Sequence, residues 1–172
     1  MRTLVLDPPP PEVEALLERR RRRGADKHDE VWEGVLHMSP PPSARHEFVV
    51  TAFSDLLRPY AERAGLGRMT AAGIGTMDDH RVPDLALLRP PVQPQWQPSA
   101  ALIVEVLSPD DETWDKLPFY AAHDVDELVV ADPASRETQW FALVNDEYRR
   151  VDRSSILDVE VRELVAQIDW PE

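Results

Sequence analysis

The sequence contains no cysteine, which excludes disulfide bonds, thiolate metal ligands and a cysteine nucleophile. It also lacks a long apolar run, and its first residues do not form the apolar core of a signal peptide. These absences predict a cytoplasmic protein without a membrane partner. Lysine is nearly absent as well, since the 19 basic residues include only two lysines, Lys27 and Lys116.

The length of 172 residues and a hydrophobic share of 42% predict a single globular domain with a core of ordinary size. We expect an extended arm and a short basic helix over residues 1–27, followed by the main domain at 28–172. The net charge of −13 is unusual for an enzyme that acts on nucleic acid, because such enzymes generally present a basic surface. Arg19–Arg23 is the candidate for a local positive surface, although the run is equally consistent with a solubilising helix end.

Apolar periodicity and turn residues predict a mixed α/β domain. Helices are expected at Glu12–Arg23, from a Ser43 cap to about Ala64 with a bend or early end at Pro59, and from an Asp110 or Asp111 cap to His123. A hairpin is expected within Glu30–Met38, and strands at about Gly67–Ala72, Val82–Leu88, Ala101–Leu107, Leu128–Ala131 and Thr138–Val144.

Two carboxylates interrupt apolar strands of this pattern, Asp84 in Val82–Leu88 and Glu105 in Ala101–Leu107. A buried charge is costly unless it is paired or binds a metal. If the two strands are neighbours, both carboxylates can converge on one cation, and such oxygen ligands select Mg²⁺ or Mn²⁺ rather than zinc. Asp84 and Glu105 are therefore the candidate metal ligands, although an aspartate after Pro83 also suits the start of a strand.

The rare lysine Lys116 follows the second carboxylate, on the predicted helix that ends at His123. Lys116, Tyr120 and His123 lie at positions i, i+4 and i+7, so they form one stripe of that helix. With this stripe above the metal site, Lys116 would hold the attacking water or stabilise charge on a phosphate. The alternative is an ordinary helical salt bridge between Lys116 and Glu112, four residues earlier. The residues expected to pack inward are Trp114, Leu117 and Ala121.

Three further residues are possible accessory groups, namely His46, Glu47 and Tyr120. His46 and Glu47 open the long helix, where an imidazole or a carboxylate could complete the metal shell or activate water. The simpler interpretation makes His46 a half-buried core residue, Glu47 a carboxylate favoured by the helix dipole, and Tyr120 a packing residue. Glu33 and His37 in the hairpin are weaker candidates.

The motifs occur in a specific order along the chain. They are Val82-Pro83-Asp84, Val104-Glu105-Val106-Leu107-Ser108-Pro109, Lys116-Leu117-Pro118-Phe119-Tyr120-Ala121-Ala122-His123 and Val130-Ala131-Asp132-Pro133. This set resembles the Uma-type putative restriction endonuclease family, a branch of the PD-(D/E)xK nuclease superfamily. The upstream segment VWEGVLHMSPPPSARHE and the closing IDWPE also resemble the family, so the similarity covers about residues 28–172.

The resemblance implies a single α/β domain with a restriction-endonuclease-like mixed central sheet flanked by helices. It also implies that Asp84 and Glu105 bind the metal and that Lys116 is the catalytic lysine. In the usual superfamily pattern the lysine lies two residues after the acidic residue, where this sequence has Leu107. Lys116 would therefore be a displaced lysine, delivered from the next helix. The implied partners are DNA and a second copy of the chain in a homodimer.

The leading hypothesis is a Mg²⁺- or Mn²⁺-dependent nuclease that hydrolyses phosphodiester bonds in DNA. The rival is a non-catalytic binding or regulatory protein on the same fold, and the net charge of −13 is its main support. A basic groove that leads to Asp84 and Glu105 would favour the nuclease, whereas a uniformly acidic surround would favour the rival.

Overall fold

The computed structural model of the protein describes residues 10–109 and 112–171. Two expectations fall outside these ranges, the extended arm before Pro10 and the helix cap at Asp110 or Asp111. The helices within them are α1 Pro11–Arg23, α2 Ala44–Arg63, α3 Thr113–Ala122 and α4 Val161–Val165. None of these four helices is both long and apolar enough to cross a membrane.

The long helix α2 has the expected cap but not the expected early end. The Ser43 side chain accepts a hydrogen bond from the backbone N–H of His46 at 3.2 Å, which satisfies one of the first N–H groups of the helix. Of the two alternatives expected at Pro59, the early end is wrong, because the helix continues to Arg63, close to the expected Ala64, and the bend stays a prediction. Leu57 and Ala61, on either side of the proline, are buried in the core, so their packing offsets the missing hydrogen bond.

The strands are short, and most belong to one of two sheets. In chain order they are β1 Glu30–Trp32, β2 Val35–His37, β3 Gly67–Thr70, β4 Gly73–Gly75, β5 His80–Arg81, β6 Leu85–Leu88, β7 Trp96–Gln97, β8 Leu102–Val106, β9 Glu127–Asp132, β10 Glu137–Val144, β11 Glu147–Arg150, β12 Arg153–Ser154 and β13 Val159–Glu160. One sheet has six strands in the order β11-β10-β9-β8-β6-β3, and the other has five in the order β2-β1-β5-β4-β7. The short strands β12 and β13 pair with each other.

The six-stranded sheet is mixed, because β8 and β9 are parallel and its other neighbouring pairs are antiparallel. This confirms the expected mixed α/β architecture. The expected hairpin is present as β1 and β2, but it belongs to the second sheet. The sequence did not predict that sheet, because its other strands, β4, β5 and β7, are only two or three residues long.

Strand β8 shows how the six-stranded sheet is packed between two layers. Leu102, Val104 and Val106 share one core cluster with α2. Ile103 points to the opposite face, where α3 and the five-stranded sheet cover the strands. Glu105 lies on the same face as Ile103, since side chains alternate along a strand. The fold therefore places a carboxylate between the large sheet and α3.

Candidate functional site

A cavity of about 530 Å³ lies at the ends of β6 and β8, between α3, the β1–β2 hairpin and the beginning of α2. The charged and imidazole side chains of its wall are Arg20, His28, Glu30, His37, His46, Asp84, Glu105, Glu112 and Lys116. Asp84, Glu105 and Lys116, which the sequence predicted to form the catalytic centre, all line this cavity. The structure thus brings these three candidates together from three separate segments of the chain.

Asp84 lies immediately before β6 rather than within a strand. The expected strand Val82–Leu88 is wrong at its beginning, since β6 starts at Leu85. Pro83 has no N–H to donate to a neighbouring strand, so regular pairing begins only after it. Asp84 therefore occupies a bend at the end of the sheet, where its side chain can turn towards the cavity.

The register of the sheet nevertheless places Asp84 beside Glu105. Leu85 is opposite Val104 in the antiparallel pair β6–β8. The next pair, one residue before Leu85 and one residue after Val104, is Asp84 and Glu105. The Asp84 Oδ2 accepts a hydrogen bond from the backbone N–H of Val106 at 2.8 Å. This contact holds the Asp84 carboxylate at the end of β8.

Glu105 is almost fully buried, with only 3% of its surface exposed. Its Oε1 accepts a hydrogen bond from the Tyr120 hydroxyl at 2.6 Å and lies 3.3 Å from the Lys116 Nζ. Burial raises the pKa of Glu105 to about 8; Lys116 opposes this shift, and the carboxylates of Asp84 and Glu30 add to it. The ionised form of this carboxyl would therefore gain from a further cation in the site.

Lys116 lies between carboxylates from both sheets. Its Nζ is 2.9 Å from Glu30 Oε1 and 3.3 Å from Glu105 Oε1. Burial lowers the pKa of Lys116, but the charges of Glu105 and Glu30 raise it more, so the pKa is above its ordinary value and the amine is protonated at neutral pH. The alternative salt bridge with Glu112 does not form, and the Glu112 carboxylate lies 3.1 Å from His37 Nδ1.

The inward face of α3 differs in part from the prediction. Trp114 was expected to pack inward, but it is 45% exposed and meets Phe141 edge-to-face. Tyr120 is fully buried instead, and Lys116 points into the cavity. The reason is geometric: residues two apart on a helix point about 200° apart, so a helix that directs Lys116 towards Glu30 and Glu105 directs Trp114 outward.

Glu30 is a site residue that the sequence analysis missed. Its Oε2 accepts a hydrogen bond from Trp32 Nε1 at 2.7 Å, and its Oε1 accepts one from the backbone N–H of Val82 at 2.8 Å. Glu30 belongs to the five-stranded sheet and Glu105 to the six-stranded one, so Lys116 joins the two sheets. Glu30 precedes the apolar residues Val31 and Trp32, which is a weak indication of a carboxylate in a strand. A strand of three residues is too short for an alternating pattern that would make this indication clear.

The structure brings two of the three accessory candidates to the site. His46 Nε2 lies 3.2 Å from Asp84 Oδ2. Burial, followed by the charge of Glu105, raises the pKa of Tyr120 well above its ordinary value, so its hydroxyl remains protonated and donates to Glu105. Glu47 is exposed and lies outside the cavity wall, because one step along an α-helix turns a side chain by about 100° from the direction of His46.

Asp84 and Glu105 fit a hard divalent cation by their oxygen chemistry and by the charge balance of the cavity. Three carboxylates, from Glu30, Asp84 and Glu105, face the single ammonium of Lys116, which leaves a negative excess when all four groups are ionised. Within residues 10–109 and 112–171, no three His, Asp or Glu side chains form a ready-made metal cluster. Mg²⁺ is commonly held by one or two carboxylates together with water and substrate phosphates, so two protein ligands are sufficient.

Comparison with known proteins places most of the chain in one family. Residues 11–169 match the model of the Uma2 family, which is described as a putative restriction endonuclease. The chain belongs to the Uma2 family. A solved structure of similar fold is a putative nuclease belonging to DUF820 from Anabaena variabilis ATCC 29413, with a TM-score of 0.66 and 15% identity, over 81% of this chain and 90% of that chain. An identity this low shows the fold alone. No protein of curated function matches the chain.

The Uma2 match confirms the family that the sequence resembles, and the neighbour structure confirms the nuclease-like α/β fold. The match begins at residue 11 and so includes α1, which the sequence analysis separated from the domain at 28–172. That boundary stays a prediction. Membership of Uma2 supports a nuclease with a nucleic-acid substrate, and restriction-endonuclease-like nucleases generally use divalent metals.

Proposed function

We propose that this Uma2 protein is a Mg²⁺- or Mn²⁺-dependent nuclease that hydrolyses phosphodiester bonds in DNA. The observation that carries the proposal is the buried ammonium of Lys116, which lies 2.9 Å from Glu30 and 3.3 Å from Glu105 in the wall of an open cavity. A buried ion cluster is a poor way to stabilise a core compared with apolar packing. Strongly shifted pKa values in a cleft are typical of functional sites, so chemistry is the better explanation.

In the proposed enzyme, Asp84 and Glu105 hold the cation. When bound, the cation polarises the phosphate and makes a water molecule more acidic. Asp84 is oriented by the backbone N–H of Val106 and by His46, and Glu105 is oriented by the Tyr120 hydroxyl. Both carboxylates are therefore held in position by neighbouring groups of the protein itself.

Lys116 acts in this proposal as a cation and not as a base, because its pKa is raised and its amine is already protonated. An ammonium has three N–H donors. One serves Glu30, and the two oxygens of Glu105, at 3.3 and 3.5 Å, can share a second, which leaves the third donor for a phosphate oxygen. Negative charge that develops on the phosphate would be stabilised by this donor. Glu30 would hold the amine in place from the side of the second sheet.

The test is cleavage of a mixed DNA pool with Mn²⁺ by the wild-type protein, Glu105→Gln and Lys116→Ala, each at a temperature where it is folded. Both variants should lose cleavage, and loss of a single charge-stabilising donor typically lowers the rate about 100- to 1,000-fold. Calorimetric titration separates the two roles. Glu105→Gln should bind Mn²⁺ more weakly, because one ligand charge is gone, whereas Lys116→Ala should bind it at least nearly as well.

Cleavage that survives in Glu105→Gln would identify a contaminant or a different site. Absence of cleavage by the wild-type protein would favour the second candidate, a non-catalytic binding or regulatory protein on the same fold. Its specific support is the net charge of −13, which opposes a polyanionic substrate. A homodimer, which would present two sites to a duplex, belongs to the leading proposal, and light scattering on the purified protein measures it.

A further inference from the structure

The last turns of α1 contain five consecutive arginines, Arg19–Arg23. Four of them are exposed, and the side chains of Arg21 and Arg22 are 66% and 68% accessible. The fifth, Arg20, is only 18% accessible and lines the cavity of the candidate site. The exposed arginines therefore extend from the same helix end as an arginine that lines the cavity, in a chain whose net charge is −13.

The hydrophobic core does not require α1. None of its residues is buried, and neither core cluster of the described residues includes a residue of this helix. Its inward stripe is only partly buried and consists of Val13, Leu16, Leu17 and Arg20. Most helices of globular proteins are held by a buried apolar face, so α1 needs a different reason for its position.

A polar network attaches the end of α1 to the cavity wall. Arg20 donates from Nε to Asp29 Oδ2 at 3.1 Å and from Nη2 to the Ser39 carbonyl at 3.1 Å. The backbone N–H of Ser39 donates in turn to Asp29 Oδ1 at 2.9 Å. Ser39 begins the proline-rich loop before α2, and Pro40 and Pro42 of that loop line the same cavity. The end of α1, with Arg19–Arg23, therefore has a defined position relative to the candidate site.

A solubilising role accounts for only part of this arrangement. Cations in the last turn do favour a helix C-terminus, and Glu18 lies 3.9 Å from both Arg21 and Arg22. However, Arg19 repels Arg22 and Arg23 at the i,i+3 and i,i+4 spacings. One exposed glutamate cannot neutralise four exposed arginines, whereas a bound polyanion would relieve their repulsion.

We propose that the exposed arginines of α1 bind the sugar–phosphate backbone of DNA outside the reacting phosphate and hold the strand at the cavity. This inference rests on the proposed nuclease function and names the surface that delivers its substrate. Arg19, Arg22 and Arg23 share one side of the helix at the i, i+3 and i+4 spacings, so these three side chains can reach neighbouring phosphates of one strand, whereas Arg21 points to another side. Contacts of this kind position nucleic acid without reading its sequence. A local positive surface also reconciles a polyanionic substrate with an acidic chain.

The test compares two variants that lose the same charge in different places. In the first, glutamine replaces the four exposed arginines of α1, and Arg20 is kept because it anchors the helix. In the matched control, glutamine replaces four exposed arginines elsewhere, namely Arg136, Arg149, Arg150 and Arg162. Fluorescence anisotropy measures binding to a DNA duplex of mixed sequence, in EDTA and at a series of salt concentrations. Far-UV circular dichroism and Tm verify that each variant is folded.

The α1 variant should bind more weakly, with a flatter dependence of affinity on salt. Each lost phosphate contact reduces the slope of log affinity against log salt by about 0.9, so loss of the three contacts from Arg19, Arg22 and Arg23 should flatten it by about 2.7. At moderate salt the affinity should fall at least about tenfold. The control variant should keep the wild-type slope. A variant with lysines at the four α1 positions should also keep it, because phosphate binding of this type depends on charge.

Equal slopes for the wild-type protein and the α1 variant would overturn the inference, as would equal losses in the α1 and control variants. Absence of DNA binding by the wild-type protein would overturn it as well. Failure of the nuclease chemistry alone gives a different result. In that case the salt dependence of DNA affinity still changes when the α1 arginines are replaced, but no Mn²⁺-dependent cleavage occurs. This result would support the DNA-binding surface and contradict the proposed nuclease reaction.

Discussion

Lys116→Met removes the ammonium that contacts Glu30 and Glu105 and keeps an unbranched side chain of similar length. In the wild-type protein the amine is 2.9 and 3.3 Å from those carboxylates, and only 13% of the side chain is exposed. Without metal, the variant leaves these two carboxylates and the neighbouring Asp84 with no positive partner at position 116. We expect the variant to fold, but with reduced stability.

The size of the loss follows from the burial of the pair. Removing one partner of a buried ion pair typically costs about 3–5 kcal/mol of unfolding free energy, because the remaining charge has no compensation. In a chain of this size, 1 kcal/mol changes Tm by about 2–4 °C, so the expected decrease in Tm is about 6–20 °C. Uptake of a proton by Glu105 would reduce the loss towards the lower value.

Thermal unfolding at neutral pH, first in EDTA and then with Mn²⁺, measures this effect. Lys27→Met is the matched control, since it makes the same charge change at the other lysine, which is exposed, and should alter stability by less than about 0.5 kcal/mol. Mn²⁺ at about a hundred times its Kd should stabilise the wild-type protein by about 2.7 kcal/mol. It should stabilise Lys116→Met more, because the cation then supplies the missing positive charge.

Two results would refute this reasoning. If metal-free Lys116→Met is as stable as the wild-type protein, Lys116 is not coupled to the carboxylates in the way that the distances indicate. If millimolar Mn²⁺ leaves the Tm of the wild-type protein unchanged, the metal site at Asp84 and Glu105 loses its support.

Two other carboxylates allow further predictions. Glu127→Gln should lower the unfolding free energy in urea by about 1–3 kcal/mol. One oxygen of Glu127 accepts from Trp140 Nε1 at 2.8 Å and from the Ser154 hydroxyl at 2.6 Å, and the other accepts from the backbone N–H of Ser155 at 2.7 Å. An amide has only one acceptor oxygen, so its NH₂ group would face donors on one of the two sides. Cleavage per folded molecule should not change, and its loss would contradict a purely structural role. Asp79→Asn should reduce stability at neutral pH but not in acid. Burial raises the pKa of Asp79, yet hydrogen bonds, led by that from Arg81, lower it more, to below its value of 3.8 in the unfolded chain. The stability it contributes is therefore present above that value and is lost as pH falls through the lower folded pKa. The Tm curves of variant and wild-type protein should converge as the pH falls through the lowered pKa of Asp79, and curves that stay parallel would exclude this contribution.

Glu105 could be identified from the sequence because a carboxylate inside an apolar strand has no partner within that strand. The same argument applies to Glu127 in β9, which is buried as deeply but lies outside the cavity. Its carboxylate accepts hydrogen bonds from neutral donors, whereas Glu105 contacts Lys116 and lies beside Asp84. Both buried carboxylates have polar partners, although the sequence led to this prediction only for Glu105, because the expected strand Leu128–Ala131 did not include Glu127. The rare lysine Lys116, 11 residues after Glu105, is what singles out Glu105 as the candidate site residue.

Glu30 could not be placed at the site from the sequence, because its position depends on how the two sheets dock. It contacts Val82 and Lys116, which are far from it in the chain, and no local pattern specifies such pairs. The strands that would have located it, β5 and β7, have two residues each. The orientation of Trp114 was mispredicted for a related reason, because apolar periodicity takes no account of carboxylates that draw a lysine inward.

The contact between Lys116 and Glu30 joins two sheets that have no strand in common within the described part of the chain. We therefore expect occupancy of the cavity to be coupled to the docking of the five-stranded sheet. A ligand that draws the ammonium away from Glu30 loosens the docking, and a change that tightens the docking alters affinity for the ligand by the same factor. A substitution or a partner at β7, the far edge of that sheet, would thus act on the cavity through the position of β1 without contact with the substrate.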